Sequence, residues 1–164
     1  MPKQFAPMSF TQRIRLRRNS CIIDGESMNP DELTDFATRY TAAWCSQDAF
    51  SVAAFYSEYG SLTINEGTPA IGHEAITDTA KSFMTAFSDL EVRMDRVDVT
   101  ADHIKYLWTL TGTNDGPGGT GNKVVISGFE EWIIDQDGLI TESRGHFDDK
   151  DYQRQIDLGA GSDS

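Results

Sequence analysis

Few of the groups that advertise a function by their spacing occur in this 164-residue sequence. Its two cysteines, Cys21 and Cys45, are too few for a disulfide framework and fit a reducing, cytoplasmic setting. Cys45 follows Trp44 at the edge of an apolar helical face and reads as core, not as a nucleophile. The three histidines, His73, His103 and His146, form no HExxH, and no paired-cysteine spacing accompanies them, so no metal site is expected. There is no Gly-x-Ser-x-Gly elbow and no internal repeat. No apolar run approaches the ~20 residues of a membrane span. Ile14, Leu16, Ile22 and Ile23 are broken up by arginines and polar residues, which excludes the apolar heart of a signal peptide.

Positive charge is scarce outside one segment. The net charge is −12, yet residues 1–18 hold Lys3, Arg13, Arg15, Arg17 and Arg18 and no acid. The remainder carries 9 basic and 26 acidic residues. A body this acidic repels nucleic acid and anionic membrane, so neither is expected as a partner. Residues 1–28 lack periodicity and read as a flexible basic lead-in, or as an upstream extension with translation starting at Met28.

A domain is expected over residues 29–158, with a frayed tail at 159–164. Asn29, Pro30 and Glu32 have the form of a helix start with a capping box. Leu33, Phe36, Ala37, Tyr40 and Trp44 then share one helical face. Asp48 looks like the cap of a second short helix. A strand is expected from Tyr56 to Asn65, and a third helix from His73 carries Ile76, Ala80, Phe83, Met84 and Phe87 on one stripe. From Leu90 the period becomes two. Leu90, Val92 and Met94 share one face and Val97 and Val99 the other, which predicts a bulge near Asp95 and Arg96. Strands are expected at 104–110, 123–134 and 139–148, the last two joined by a tight turn at Asp137-Gly138, and a short amphipathic segment, Tyr152 to Leu158, closes the fold. Helices early and strands late point to an α+β fold.

Gly116 to Gly121 reads GxGxxG, but Val124, Val125 and Ile126 follow, a strand where a dinucleotide site needs a helix. The segment is read as a long hairpin loop, and no cofactor is expected. The most informative polar spot is His146-Phe147-Asp148. On a strand, His146 and Asp148 share a face, roughly 6–7 Å apart, with Phe147 opposite. Arg144 joins their row if no bulge intervenes. An imidazole and a carboxylate looking into an apolar pocket can exchange protons with a substrate. The plainer alternative is a sheet-end ion pair between Arg144 and Asp148, with His146 half exposed. Tyr40, Tyr56, Phe83, Phe87, Trp108 and Trp132 are the aromatic candidates for lining such a pocket.

Trp108-Thr109-Leu110-Thr111-Gly112-Thr113, the glycine-rich loop and Thr120-Gly121-Asn122-Lys123-Val124 resemble a stretch of the SnoaL-like ester and polyketide cyclases. Asp137 to Glu142 resembles their D-G-x-I-x-E turn, and Asp148, Tyr152 and Gln155-Ile156 resemble their closing motif. The resemblance places the chain in the wider nuclear-transport-factor-2-like, cystatin-like superfamily. It implies a curved mixed or antiparallel sheet wrapped around three N-terminal helices, a cone with an apolar pocket. It further implies a homodimer through the exposed sheet face and Asp148 as the acid–base residue of a cofactor-free closure, aided by His146 or Tyr40. The expected substrate is a small hydrophobic carbonyl compound, cyclised or isomerised. The alternatives are an epoxide-hydrolase-like enzyme, or a non-catalytic module for an apolar ligand or a protein. Asn114 and Arg144 stand where the family has a histidine and a tryptophan. Compared with ketosteroid isomerase, Tyr40 falls at the oxyanion-stabilising tyrosine and Glu130 near its second donor acid, whereas Ile64 and Asn65 stand near the base and cannot ionise. For an epoxide hydrolase, Arg144 and Asp148 supply part of the Asp-Arg-Asp set.

Overall fold

A computed structural model describes residues 28–161. The basic lead-in, apart from Met28, and the last three residues lie outside them. Helix α1 runs Pro30–Cys45 and starts as its sequence dictates. The Asn29 side chain accepts from Glu32 N (2.8 Å) while Glu32 accepts from Asn29 N (3.0 Å), so two otherwise orphaned donors are satisfied reciprocally. Leu33, Phe36, Ala37, Tyr40 and Trp44 form its buried face. Cys45 is exposed, contrary to expectation, and ties α1 to the next layer by accepting from Val92 N (3.2 Å).

Helix α2 (Ala49–Ala53) and strand β1 (Tyr56–Ile64) follow, then the two-residue strand β2 (Ala70–Ile71) and helix α3 (His73–Ala86). Strands β3 (Glu91–Val99), β4 (Ile104–Thr113), β5 (Lys123–Ile134) and β6 (Ile140–Phe147) precede helix α4 (Asp149–Leu158). The six strands form one mixed sheet in the order β2-β1-β6-β5-β4-β3. Only β1 and β6 run parallel. The sheet is not closed: β2 and β3 are its edges. The fold is α+β, with α1, α2 and α3 packed on the inner face over a core of Tyr40, Tyr56, Ile76, Phe87, Tyr106, Val124 and Trp132.

The β3–β4 register shifts between Met94 and Arg96, where the change of hydrophobic phase predicted it. The glycine-rich segment is the β4–β5 connection and holds no helix start. Asn114 anchors it, its Oδ1 accepting from Thr120 N (3.0 Å) and its Nδ2 donating to Ala86 O (3.3 Å). The C-terminal residues 159–161, the start of the expected tail, are held by Ala160 N donating to Lys123 O (2.8 Å).

A second irregularity decides the site. Along β6, Ile140 pairs with Ile134 but Glu142 pairs with Ile133, so one extra residue, Thr141, is inserted. A one-residue insertion turns every later side chain to the opposite face. Beyond it Ser143, Gly145 and Phe147 face the core side, and Glu142, Arg144 and His146 face outward.

Candidate functional site

Inward-facing residues of β4, β5 and β6 meet α1, α3 and α4 around an apolar cavity of about 50 Å³. Its walls include Trp44, Phe83, Tyr106, Trp108, Phe147 and Tyr152. An open depression of about 750 Å³ lies outside, and Ile64, Phe83 and Phe147 border both spaces. A 50 Å³ space exceeds the ~30 Å³ share of one water and falls short of the ~150 Å³ cavity that holds benzene. The inner cavity thus suits one end of a ligand whose remainder lies in the depression.

One carboxylate borders that cavity, Glu130. On β5 it shares the inward row with Val124, Ile126 and Trp132, and it is 7% exposed. Three donors converge on its Oε1: Tyr40 OH (3.0 Å), Trp132 Nε1 (2.8 Å) and Ser143 Oγ (2.7 Å). Tyr40 gives its single proton to Glu130, so the 2.9 Å contact between the Tyr40 and Tyr56 hydroxyls is donated by Tyr56. No hydrogen bond reaches Oε2 among the described residues, which leaves that oxygen to the cavity. Burial raises the Glu130 pKa, and the three hydrogen bonds oppose the rise without cancelling it. Burial, then the Glu130 charge, push both Tyr40 and Tyr56 well above the ordinary phenol range, so both stay protonated.

The expected catalytic pair is placed otherwise. The Thr141 insertion inverts the phase assumed for His146, so Phe147 borders the inner cavity, whereas the His146 ring lies against Phe129, 4.8 Å between centroids, and lines the open depression. His146 Nε2 meets Glu131 Oε1 at 3.2 Å, and His103 Nε2 meets Glu131 Oε2 at 2.9 Å. Asp148 has left the strand. It caps α4, its carboxylate accepting from Asp151 N (3.1 Å). Arg144 is exposed and lies 3.6 Å from Glu142, so neither the Arg144–Asp148 ion pair nor an Asp-Arg-Asp set is assembled. Of the expected lining residues, Phe83 and Trp108 border the cavity. Tyr40, Tyr56 and Trp132 stand behind it in the Glu130 network. Phe87 is fully buried and packs on Tyr152.

Glu130 is the residue that motif reading left out of the catalytic pair. Its signal is a carboxylate in phase with Val124, Ile126 and Trp132 on an otherwise apolar strand face. Among the described residues no group of three His, Cys, Asp or Glu side chains is placed to hold a metal, and no helix is long and apolar enough to cross a membrane.

An acid with one free oxygen, set in an apolar cavity between helices and an open mixed sheet, describes a class of α+β fold. The SnoaL-like domain family model matches residues 37–143, and the chain belongs to that family. No curated protein matches it. Among solved structures it is similar to a protein from Jannaschia sp. CCS1 described as a SnoaL-like polyketide cyclase (20% identity, 82% of this chain, 99% of that one, TM-score 0.70). It is also similar to a protein with a ketosteroid isomerase-like fold from Catenulispora acidiphila, in complex with trimethylamine (14% identity, 79% and 98%, TM-score 0.67). A third is the epoxide hydrolase/cyclase-like enzyme SalBIII of salinomycin pyran-ring formation (14% identity, 74% and 94%, TM-score 0.64). At these identities the likeness is one of fold.

Proposed function

We propose that this SnoaL-like protein is a cofactor-independent acid–base enzyme for a small hydrophobic carbonyl compound, with Glu130, not His146 and Asp148, as the proton-transfer group. The observation that carries the reading is the division of labour on Glu130: three donors hold Oε1 and none touches Oε2. Oε1 then has the character of a carbonyl oxygen, and the exchangeable proton sits on Oε2, toward the cavity. A carboxyl pKa raised by burial keeps both proton states accessible nearer neutrality, where general acid–base catalysis works best. In the ionised form Oε2 takes a proton from the carbon next to a carbonyl, and the electron pair of that C–H bond moves to the carbonyl oxygen. The resulting enolate regains the proton at another carbon, an isomerisation, or attacks a second carbonyl of the same molecule, an aldol closure. The family and its cyclase-like neighbours support this chemistry by analogy.

Exchange of the α-protons of butan-2-one in D2O, followed by proton NMR, tests it. The wild type accelerates the exchange. Glu130→Gln, which keeps an oxygen for the three donors, lowers the rate by about 10²–10⁴-fold, the usual worth of one general acid–base group. Asp148→Asn, at the α4 cap and away from the cavity, leaves it within about twofold. No acceleration by the wild type, or an unchanged rate in Glu130→Gln, overturns the assignment.

A further inference from the structure

Two indole N–H donors on the cavity wall, those of Trp44 and Trp108, take no part in the proton transfer through Glu130. Trp108 is 9% exposed, its ring borders the cavity, and its Nε1 has no hydrogen-bond partner among the described residues. Its register partner on β5 is Gly128, where a Cβ would stand 2.7 Å from Trp108 Cζ2. The six-membered edge of the indole therefore occupies space that a side chain at position 128 would need. An indole N–H only donates, and a buried donor without an acceptor is costly. Trp132 answers that cost with Glu130. Trp44 Nε1, also unbonded, is near enough to the Tyr40 hydroxyl to oppose its rise in pKa. For Trp108 no acceptor lies within reach.

Charge narrows what fits. No lysine, arginine or histidine borders the cavity. An anionic ligand would find no counter-charge there and would face Glu130. A cationic ligand could pair with an ionised Glu130, but with no lone pair to offer it would leave the Trp108 N–H unpaired and bring positive charge toward a positive dipole end. We propose that Trp108 is the specificity-determining residue of this cavity: its N–H selects small neutral ligands whose carbonyl oxygen accepts that hydrogen bond, over charged molecules of the same shape. The inference rests on the reading of the cavity as the ligand site. It does not require Glu130 to move a proton.

Three probes built on one four-carbon sec-butyl frame separate the cases: butan-2-one (neutral), sec-butylammonium (cation) and 2-methylbutyrate (anion). Each is titrated into the 15N-labelled full chain while the three indole N–H signals are followed, assigned with single Trp→Phe variants. Butan-2-one is expected to move the Trp108 signal downfield to saturation and to leave that of Trp132, already bonded to Glu130, nearly in place. Neither ion should produce a saturable shift at matched concentration. Trp108→Phe should weaken butan-2-one binding by about 2- to 10-fold, the loss of one hydrogen bond. Tighter binding of either ion, saturation without movement of Trp108, or no saturable response to any probe overturns the inference. If butan-2-one shifts Trp108 but its α-protons are not exchanged, the acid–base reading falls and this one stands.

Discussion

At Glu130 two opposed forces meet on one side chain. Burial disfavours the charge, whereas Tyr40, Trp132 and Ser143 favour it, and burial is the larger. The consequence for stability has a definite sign. Below the unfolded value of about 4.3 the group is protonated in both states and costs the fold nothing. As pH rises, the unfolded chain ionises first, and the folded state loses stability until the higher folded pKa is passed. Asp89, Asp95, Asp115 and Asp151 act the other way. Hydrogen bonds from Thr113, Thr109, Ser88 and Arg154 respectively hold their pKa values low, so their contribution is present above about 3.9 and lost on acidification. They are common to wild type and Glu130→Gln, so they cancel in the difference. Glu130→Gln should therefore gain stability relative to wild type as pH climbs above about 4.3, and the gap should close below it. Urea unfolding across that range measures this. A gap that widens toward acid would mean that Glu130 is a stabilising carboxylate and not one raised by burial.

Strand β6 shows how far the sequence could be read, and where it stopped. Its existence, its span, the preceding Asp137-Gly138 turn and the early helices were all legible, because each rests on local period, capping and turn chemistry. The phase of its second half was not. Alternation from the buried Ile140 puts residues 142, 144 and 146 inward, and the Thr141 insertion reverses this through pairing with β5, a non-local cause. The bulge in β3 was legible because two apolar runs change phase there. In β6 the residues after the insertion are Ser143, Gly145 and Phe147, too mixed to announce the change. Gly145 also explains why the cavity is open. An added Cβ would stand 3.6 Å from Glu130 Cγ and 3.7 Å from Ile64 Cδ1, ordinary contacts in space that Gly145 leaves free. Gly145→Ala should thus fold well, gaining up to about 1 kcal/mol from reduced backbone entropy in the unfolded chain. It should at the same time weaken butan-2-one binding several-fold by narrowing the cavity. Thermal unfolding and the indole titration read the two effects separately. A variant that binds butan-2-one as well as wild type would place the ligand elsewhere.

Over the whole molecule, the outer sheet face is the surface that the helices leave uncovered. Val125 and Ile133 are exposed on it, Lys105 Nζ sits 4.4 Å over the Phe129 ring, and Glu131 joins His103 to His146. We propose that a second copy of the chain covers this face. Two bodies of net charge −12 repel each other at long range, so the association has to be driven by contact of apolar surface. Salt shortens the repulsion to about 10 Å at 0.1 M, and the dimer should tighten as salt is raised. An assembly built on cross-chain ion pairs would loosen instead. Phe129→Glu places a further negative charge at the centre of the face without touching the core. It should yield a folded monomer with an unchanged far-ultraviolet spectrum, whereas the wild type sediments at twice the chain mass. A wild type that stays monomeric at every salt concentration, or a Phe129→Glu variant that still dimerises, rules this face out as the contact. In the first case the exposed Val125 and Ile133 would be single apolar residues of the kind any soluble surface tolerates, with no partner to account for them.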